Sequence, residues 1–323
     1  MTTQTAAVLE SLLLDPAGPK VVAIGGGHGL SITLEAVQSY ASSVTAVVAV
    51  ADDGGSSGRI TSGLGIPPPG DIRRCLLALT PEPSMWSELF AYRFRGGDIE
   101  DHSLGNLLLA ALTDLLGDFA AAVDTAGRML GAVGTVIPAA AEPAILSATV
   151  GGVEVVGQAA ISKAQGGVER LELGPAGLQA HPHALQAIAA ADQIVLGPGS
   201  LYTSLLAVLM VPWMAEAVMA SPARKVFVLN LVTQDGETLG LSGDRHVEAL
   251  AEMGGVTGPG TIITHDGPLQ VPPTVDPVWV RDQGRWGWSV VGADVADQQA
   301  EWPAHDPMRL GWTLAELVGP DLG

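Results

Sequence analysis

A chain of 323 residues with one cysteine, Cys75, has no internal disulfide framework, and a lone thiol fits a reducing compartment. Cys75 falls in a helical pattern after Pro69, where burial is its expected role. No histidine stands near it in sequence to make it a nucleophile. Positive charge is scarce as well: Lys and Arg number 15 against 34 Asp and Glu, for a net charge of -19. Such a chain repels nucleic acid and anionic membrane, so neither is an expected partner. A nucleotide is not excluded, because backbone amides hold phosphates without formal charge. No Gly-Lys-Ser/Thr phosphate loop occurs, which argues against a P-loop NTPase. The mean hydropathy is +0.34, yet no apolar run is clean. The best, residues 201–218, is interrupted by Tyr202, Thr203, Ser204, Pro212 and Glu216 and reads as a buried helix followed by a turn. Residues 1–20 read as a leader without the basic start of a secretion signal. The expected location is the cytoplasm.

What is present is an alternation of apolar runs and glycine turns. Hydrophobic residues make up 47%, and the 41 Gly and 22 Pro fall between apolar runs rather than in tracts. Residues 21–24 form a short continuous apolar run ahead of Gly25-Gly26-Gly27-His28-Gly29, the pattern of a buried parallel strand entering a turn. Residues 30–39 have helical spacing. Residues 44–50 form a second β-branched run, ending at Asp52. After Pro67-Pro68-Pro69-Gly70, Asp71 is placed to cap a helix running to about Leu79. Residues 102–112 read as a helix, 133–138 as a strand, and 145–158 as a hairpin about Gly151-Gly152. A helix over 183–191 and strands over 193–196, 226–231 and 261–264 restore the α/β rhythm. The expected fold is a three-layer α/β/α Rossmann-like parallel sheet. It forms a single domain over 21–323, with a small antiparallel insertion near 131–180.

Four polar, glycine-rich loops each follow an apolar strand. In a parallel sheet such loops share the carboxyl edge, where ligands bind at the point of strand-order reversal. The expectation is therefore one nucleotide pocket, made electropositive by its amides. In the first loop, Gly26, Gly27, His28 and Gly29 bring backbone close to a phosphate, and the following helix adds its positive end. In the second, Asp52 or Asp53 could hold a ribose or a Mg²⁺ ion, while Gly54, Gly55, Ser56 and Ser57 face phosphate oxygens. The third supplies Gly197, Gly199 and Ser200; the fourth supplies Asn230, Thr233 and Gln234. Between Val21 and Tyr92 the only bases are Arg59, Arg73 and Arg74, all in or just after these loops, and Arg59 and Arg73 are candidates to pair with phosphate. A salt bridge to Asp71 or Glu82 is the alternative. His102 and Asn106 are four apart and are expected on one helix face lining the pocket. His305-Asp306-Pro307 reads as a capped helix start. The five tryptophans between Trp279 and Trp312 are expected in the core, with stacking on a base or sugar as the alternative.

Taken together, these strings resemble the YvcK/CofD-like family. They are Gly25-Gly26-Gly27-His28-Gly29-Leu30, Asp52-Asp53-Gly54-Gly55-Ser56-Ser57-Gly58-Arg59, Pro68-Pro69-Gly70-Asp71-Ile72-Arg73, His102-Ser103-Leu104-Gly105-Asn106-Leu107, Gly197-Pro198-Gly199-Ser200-Leu201-Tyr202-Thr203-Ser204 and Asn230 through Thr238, in family order. The likeness is closer to the gluconeogenesis factor branch. It implies a cytosolic binder of uridine diphosphate-N-acetylglucosamine that acts on cell shape, cell-wall synthesis and carbon metabolism during gluconeogenic growth, as a homodimer and through a regulatory protein partner. It brings no firm catalytic activity and no firm cofactor. The other branch implies a Mg²⁺-dependent phospholactyl transferase, with Asp52 or Asp53 on the metal. A third reading, a NAD-binding oxidoreductase, rests on an acid about 20 residues past a glycine turn, but a second Gly/Ser loop then crowds the adenosine site. The chain departs from the family pattern at His28, Arg74 and Asp101, where threonine, asparagine and glycine are common.

Overall fold

The computed structural model describes residues 14–164, 166–281 and 283–319; residues 1–13 of the leader lie outside the described residues. The strands, in chain order, are β1 (Lys20–Gly25), β2 (Ser43–Val48), β3 (Thr135–Pro138), β4 (Ile145–Val150), β5 (Val153–Val156), β6 (Val168–Gly174), β7 (Gln193–Leu196), β8 (Arg224–Val228), β9 (Gly260–His265) and β10 (Trp288–Ala293). Seven form one sheet in the order β10-β9-β8-β7-β1-β2-β3, and every pairing in it is parallel. The chain runs outward from β1 to β3, returns to place β7 against the free side of β1, then runs outward again to β10. Strand order therefore reverses between β1 and β7, and the loops after those two strands part there.

Period-two alternation distributes the strand side chains to two cores. Val22, Ile24, Ile194, Leu196 and Phe227 face one hydrophobic cluster. Val21, Ala23, Val195, Val226 and Val228 face the other. The second cluster is closed by α1 (Gly27–Val37), α3 (Pro69–Ala78), α5 (Leu104–Leu116) and α6 (Phe119–Leu130), which here follow in chain order with α2 (Gly55–Leu64) and α4 (Met85–Ala91) between them. The first is closed by helices Pro182–Ala189, Leu201–Leu209 and Met214–Ala220, together with the small sheet. The result is the three-layer architecture expected from the pattern. Cys75 is buried on α3 beside Ile72, Leu76 and Leu79, and burial pushes its thiol well up, away from reactivity.

The antiparallel sheet, β5-β4-β6, falls within the expected insertion. The β4–β5 turn uses Gly151 and Gly152 at φ 57° and 77°, as a two-residue hairpin requires. Short α7 (Gln158–Ile161) follows β5. The apolar run 201–218 divides as expected into a buried helix and a turn: Leu201–Leu209 and Met214–Ala220 meet at 75°. Among the described residues no single helix is long and apolar enough to cross a membrane. The first six residues of that helix, Leu201–Leu206, are wound as a π-helix, which the sequence does not announce.

Three local expectations need correction. Asp71 does not cap α3; the cap is Pro68, with Asp71 in the first turn. His102 lies outside α5, whose cap is Ser103. The tail tryptophans are not core residues as a group. Trp288 is 1% exposed, but Trp279, Trp302 and Trp312 are 51%, 53% and 62% exposed. The buried one sits in β10, and the others lie on loops or on the outer face of the last helix, Pro307–Glu316.

Candidate functional site

All four glycine-rich loops stand at the carboxyl edge, because every strand of the large sheet is parallel. The β1 loop turns sharply into α1: Gly27, the first helical residue, has φ 66°, a conformation open to glycine at no steric cost. Gly26 lies under Asp71 Oδ2 and Ser204 Oγ, which stand 2.6 and 3.1 Å from where a Cβ would be. The β7 loop is fixed from both flanks. Asn230, at the end of the β8 segment, receives the Gly199 N–H and donates to the Gly199 carbonyl, each at 2.8 Å. Thr33 of α1 donates to the Gly197 carbonyl at 3.0 Å. Thr233 is tied to the Asp276 backbone through its N–H at 2.7 Å and its hydroxyl at 2.9 Å.

These loops line a cavity of about 890 Å³ with His28, Gly29, Gly199, Ser200, Asn230, Thr233 and Gln234 on its walls. Trp302 and His305 of the tail close the far side. A second cavity, about 660 Å³, lies between the β2 loop and the insertion and takes in Asp52 and Asp53. The site is thus two hollows rather than the single pocket expected. Among the described residues the larger one has no Lys or Arg in its lining, and Asp235 and Glu237 are part of it. Any positive potential there comes from amides and histidine, not from guanidinium groups.

The two acids of the β2 loop diverge, as neighbouring strand positions do. Asp52 Oδ1 accepts the Gly54 N–H at 3.0 Å, and its Oδ2 faces Gly70 at the start of α3. Asp53 Oδ1 accepts the Ala159 N–H of the insertion at 2.7 Å. Asp71 is nearly buried, accepts the Gly27 N–H and lies close enough to Asp52 to feel its charge; burial above all raises its carboxyl from the ordinary range, against the opposing pull of Arg74. Among the described residues no group of three or more His, Cys, Asp or Glu is placed to hold a metal. A Mg²⁺ ion that takes one carboxylate and its other ligands from phosphate and water fits Asp52 alone; Asp53 is turned away.

Behind the second loop a buried network runs Arg73–Asn106–Ser56–His102. Arg73 Nε donates to Asn106 Oδ1 at 3.1 Å, Asn106 Nδ2 donates to Ser56 Oγ at 3.1 Å, and Ser56 Oγ lies 3.0 Å from His102 Nδ1. Arg73 also donates to the Phe90 carbonyl at 3.3 Å and is 7% exposed. Burial lowers its guanidinium to about 10. It acts as a strut between helices, and neither Asp71 nor Glu82 is its partner. Arg74 is instead the partner of Asp71, at 2.5 Å. Arg59 points to the Glu100 carbonyl at 2.8 Å. Arg73→Leu is expected to cost about 2–3 kcal/mol, because Asn106 Oδ1 loses its donor while buried and the Phe90 carbonyl keeps only the Ser103 hydroxyl. Urea midpoints measure this; a loss below about 0.5 kcal/mol contradicts the strut assignment.

One candidate, Glu237, is not singled out by the sequence pattern. Glu237 is buried and accepts the Tyr202 N–H at 3.3 Å and the Thr203 hydroxyl, so it caps the start of the Leu201–Leu209 helix from inside the protein. Burial raises its carboxyl, and helix N–H groups oppose the rise. Its only sequence signal is that it ends the Gln234-Asp235-Gly236-Glu237 turn. His305 is buried, with Nε2 at 3.1 Å from the Leu229 carbonyl. Asp306 caps the last helix as expected, accepting from Met308 and Arg309 at 2.8 and 3.1 Å. Asp101 has φ 64°, which explains why glycine suits that position.

The profile of the family described as 2-phospho-L-lactate transferase CofD matches residues 21–283. The chain belongs to the CofD family. Relatives within it are named for gluconeogenesis. A putative gluconeogenesis factor of Mycobacterium tuberculosis is 41% identical over 319 residues, covering 94% of this chain and 91% of that protein. One from Nostoc sp. is 46% identical over 235 residues, covering 72% of this chain but only 52% of the relative, so this chain spans about half of that longer protein. A crystal structure of a UPF0052-family protein from Bacillus halodurans superposes with a TM-score of 0.87 at 37% identity, covering 92% of this chain and 98% of that one. The CofD match takes in β1 through β9 and every glycine-rich loop, while β10, Trp302 and His305 lie past its end.

Proposed function

We propose that this protein is a sugar-nucleotide-binding regulator, whose ligand is uridine diphosphate-N-acetylglucosamine and whose output bears on cell shape, cell-wall synthesis and carbon use under gluconeogenic growth. The observation that carries the reading is a pair of helix starts, α1 at the reversal point and α2 after the neighbouring strand β2. Neither α1 nor α2 has a side-chain cap or an acid in its first turn, and both open at the carboxyl edge beside the two hollows. Backbone amides there are a ready diphosphate site. The larger cavity has the volume of a small-molecule site. Its exposed Trp302 offers a face for stacking by a base or sugar. Binding biases a conformation that a partner protein reads, with the protein acting as a homodimer. The relatives named gluconeogenesis factor support the part of this reading that concerns carbon use.

Calorimetry with uridine diphosphate-N-acetylglucosamine is the direct test. Saturable heat at sub-millimolar ligand is expected, and none at millimolar ligand would end this reading. A transferase reading has one observation in its favour: the CofD profile is that of a transferase, and Asp52 keeps a carboxylate oxygen toward the shared edge. In that case Asp52 holds Mg²⁺, which offsets charge on a departing phosphate.

A further inference from the structure

The larger hollow is rich in hydrogen-bond acceptors and poor in donors. His28 and Gly29 bring the α1 turn to one wall, and Trp302 and His305 stand on the far side. A ligand whose phosphates rest on the α1 turn therefore extends its other end toward Trp302. Asp235 contributes a carboxylate to the wall that has no ion-pair or hydrogen-bond partner among the described residues. Gln234 Oε1 is buried with no donor to accept from. The side chains able to donate are largely engaged. Asn230 Nδ2 donates to the Gly199 carbonyl at 2.8 Å, and the Ser162 hydroxyl donates to the Gln158 carbonyl at 3.0 Å. His305 Nε2 is turned to the Leu229 carbonyl, and burial holds its imidazole down at about 4, so it brings no positive charge at neutral pH. His28 is the other imidazole of the lining, and Glu35 of α1 lies near enough to feel its charge.

We propose that the larger hollow selects an uncharged, hydroxyl-rich glycosyl group and turns away acidic ones, with Asp235 as the specificity-determining residue. This rests on the sugar-nucleotide reading above and adds the class of sugar that the site takes. A hexose hydroxyl or an acetamido N–H supplies the donor that the Asp235 carboxylate lacks. A turn of the Gln234 side chain brings its orphaned oxygen to the same donors. The apolar face of the ring lies against Trp302. A uronic acid carries a carboxylate in place of one hydroxyl, and a carboxylate only accepts. It faces the Asp235 charge with no Lys or Arg in the lining to offset either group, and it gives up its own hydration on entering. The overall charge of -19 opposes any anion, but the diphosphate meets that cost equally with either sugar.

The experiment is titration calorimetry on the full chain with uridine diphosphate-glucose and uridine diphosphate-glucuronate, which differ only at C6. It is run at about pH 8, where an ordinary imidazole is neutral. Wild type is expected to bind the glucuronate at least about tenfold more weakly than the glucose compound. In Asp235→Asn, and equally in Asp235→Ser should the first fold poorly, the gap is expected to shrink to about threefold or less. Glu82→Gln removes one exposed charge past the far end of α3, outside the hollow, and is expected to keep the wild-type gap. Equal wild-type affinity for the two sugars overturns the selection and leaves the nucleotide site standing. A gap that the Asp235 variants do not narrow, or that Glu82→Gln narrows as much, overturns the role of Asp235. No binding of either compound or of uridine diphosphate-N-acetylglucosamine by wild type overturns the nucleotide reading itself.

Discussion

Gly29→Ala is expected to lower stability by about 3 kcal/mol and to abolish the ligand binding proposed at the reversal point. A Cβ at this position would stand 2.6 Å from the Pro198 carbonyl carbon and 2.8 Å from Gly199 Cα, and closer still to the Pro198 oxygen. Every one of these atoms is backbone, so no rotamer change relieves the overlap. Nor can the loops move apart freely: β1 and β7 are paired from Val21 to Ile24, and the β7 loop is held by Asn230 and Thr33. Overpacking of a tight site costs about 1–3 kcal/mol, and a site with only backbone neighbours belongs at the top of that range. Gly63→Ala is the control. Nothing lies within 4 Å of its added Cβ, it sits in α2, and replacing a helical glycine there gains about 0.5–1 kcal/mol. Denaturant midpoints of the two variants should move in opposite directions. If Gly29→Ala shows a wild-type midpoint and wild-type calorimetry, the close approach of the two loops is refuted.

Acid should weaken the fold through His305. Its imidazole is buried, and burial depresses it from 6.5 to about 4; the neighbouring His265 works in the same direction, and the Leu229 hydrogen bond works against it. A depressed histidine is one whose neutral form the folded state prefers. Above the ordinary value both states are neutral and the preference has no effect on pH dependence. As the pH falls from about 6.5 toward 4 the unfolded chain takes up the proton first, so stability is lost across that window. The difference amounts to about 3 kcal/mol for one buried group. His305→Gln retains a donor for the Leu229 carbonyl but cannot titrate. Urea midpoints at pH 7 and pH 4 should therefore fall further for wild type than for the variant by about that amount. Equal falls in both proteins would mean that His305 titrates normally or contributes nothing.

The parts of the fold that were legible in the sequence share a cause. A buried parallel strand must be apolar on both faces and must end where the chain turns back, so residues 21–24 followed by a glycine run, and 193–196 followed by Gly197-Pro198-Gly199, can hardly be anything else. Parallel strands then force their loops to one edge of the sheet. Partner choice was less legible. Arg73 and Arg74 are adjacent and chemically alike, yet one is a buried strut and the other an exposed ion-pair partner. Burial of Ile72, Cys75 and Leu76 fixes the core face of α3, and the approach of α5, not visible locally, decides which arginine lies against it. The same holds for Asp52 and Asp53, divided by the insertion that packs Ala159 on one of them. The tryptophans misled because aromatic bulk argues for a core only when a strand or helix carries it inward; Trp288 meets that condition and Trp302 does not.

The carboxylate of Glu237 plugs the mouth of the Leu201–Leu209 helix with the protein's own negative charge. That end of the third loop is therefore spoken for, and a phosphate arriving in the larger hollow would have to evict a side chain to reach it. The proposed grip on a diphosphate falls to the remaining first-turn amides of α1 and α2, beyond the N–H groups of Gly27 and Gly54 that Asp71 and Asp52 already take, and the plugged helix serves as a rigid doorpost beside the Gly197–Ser200 turn.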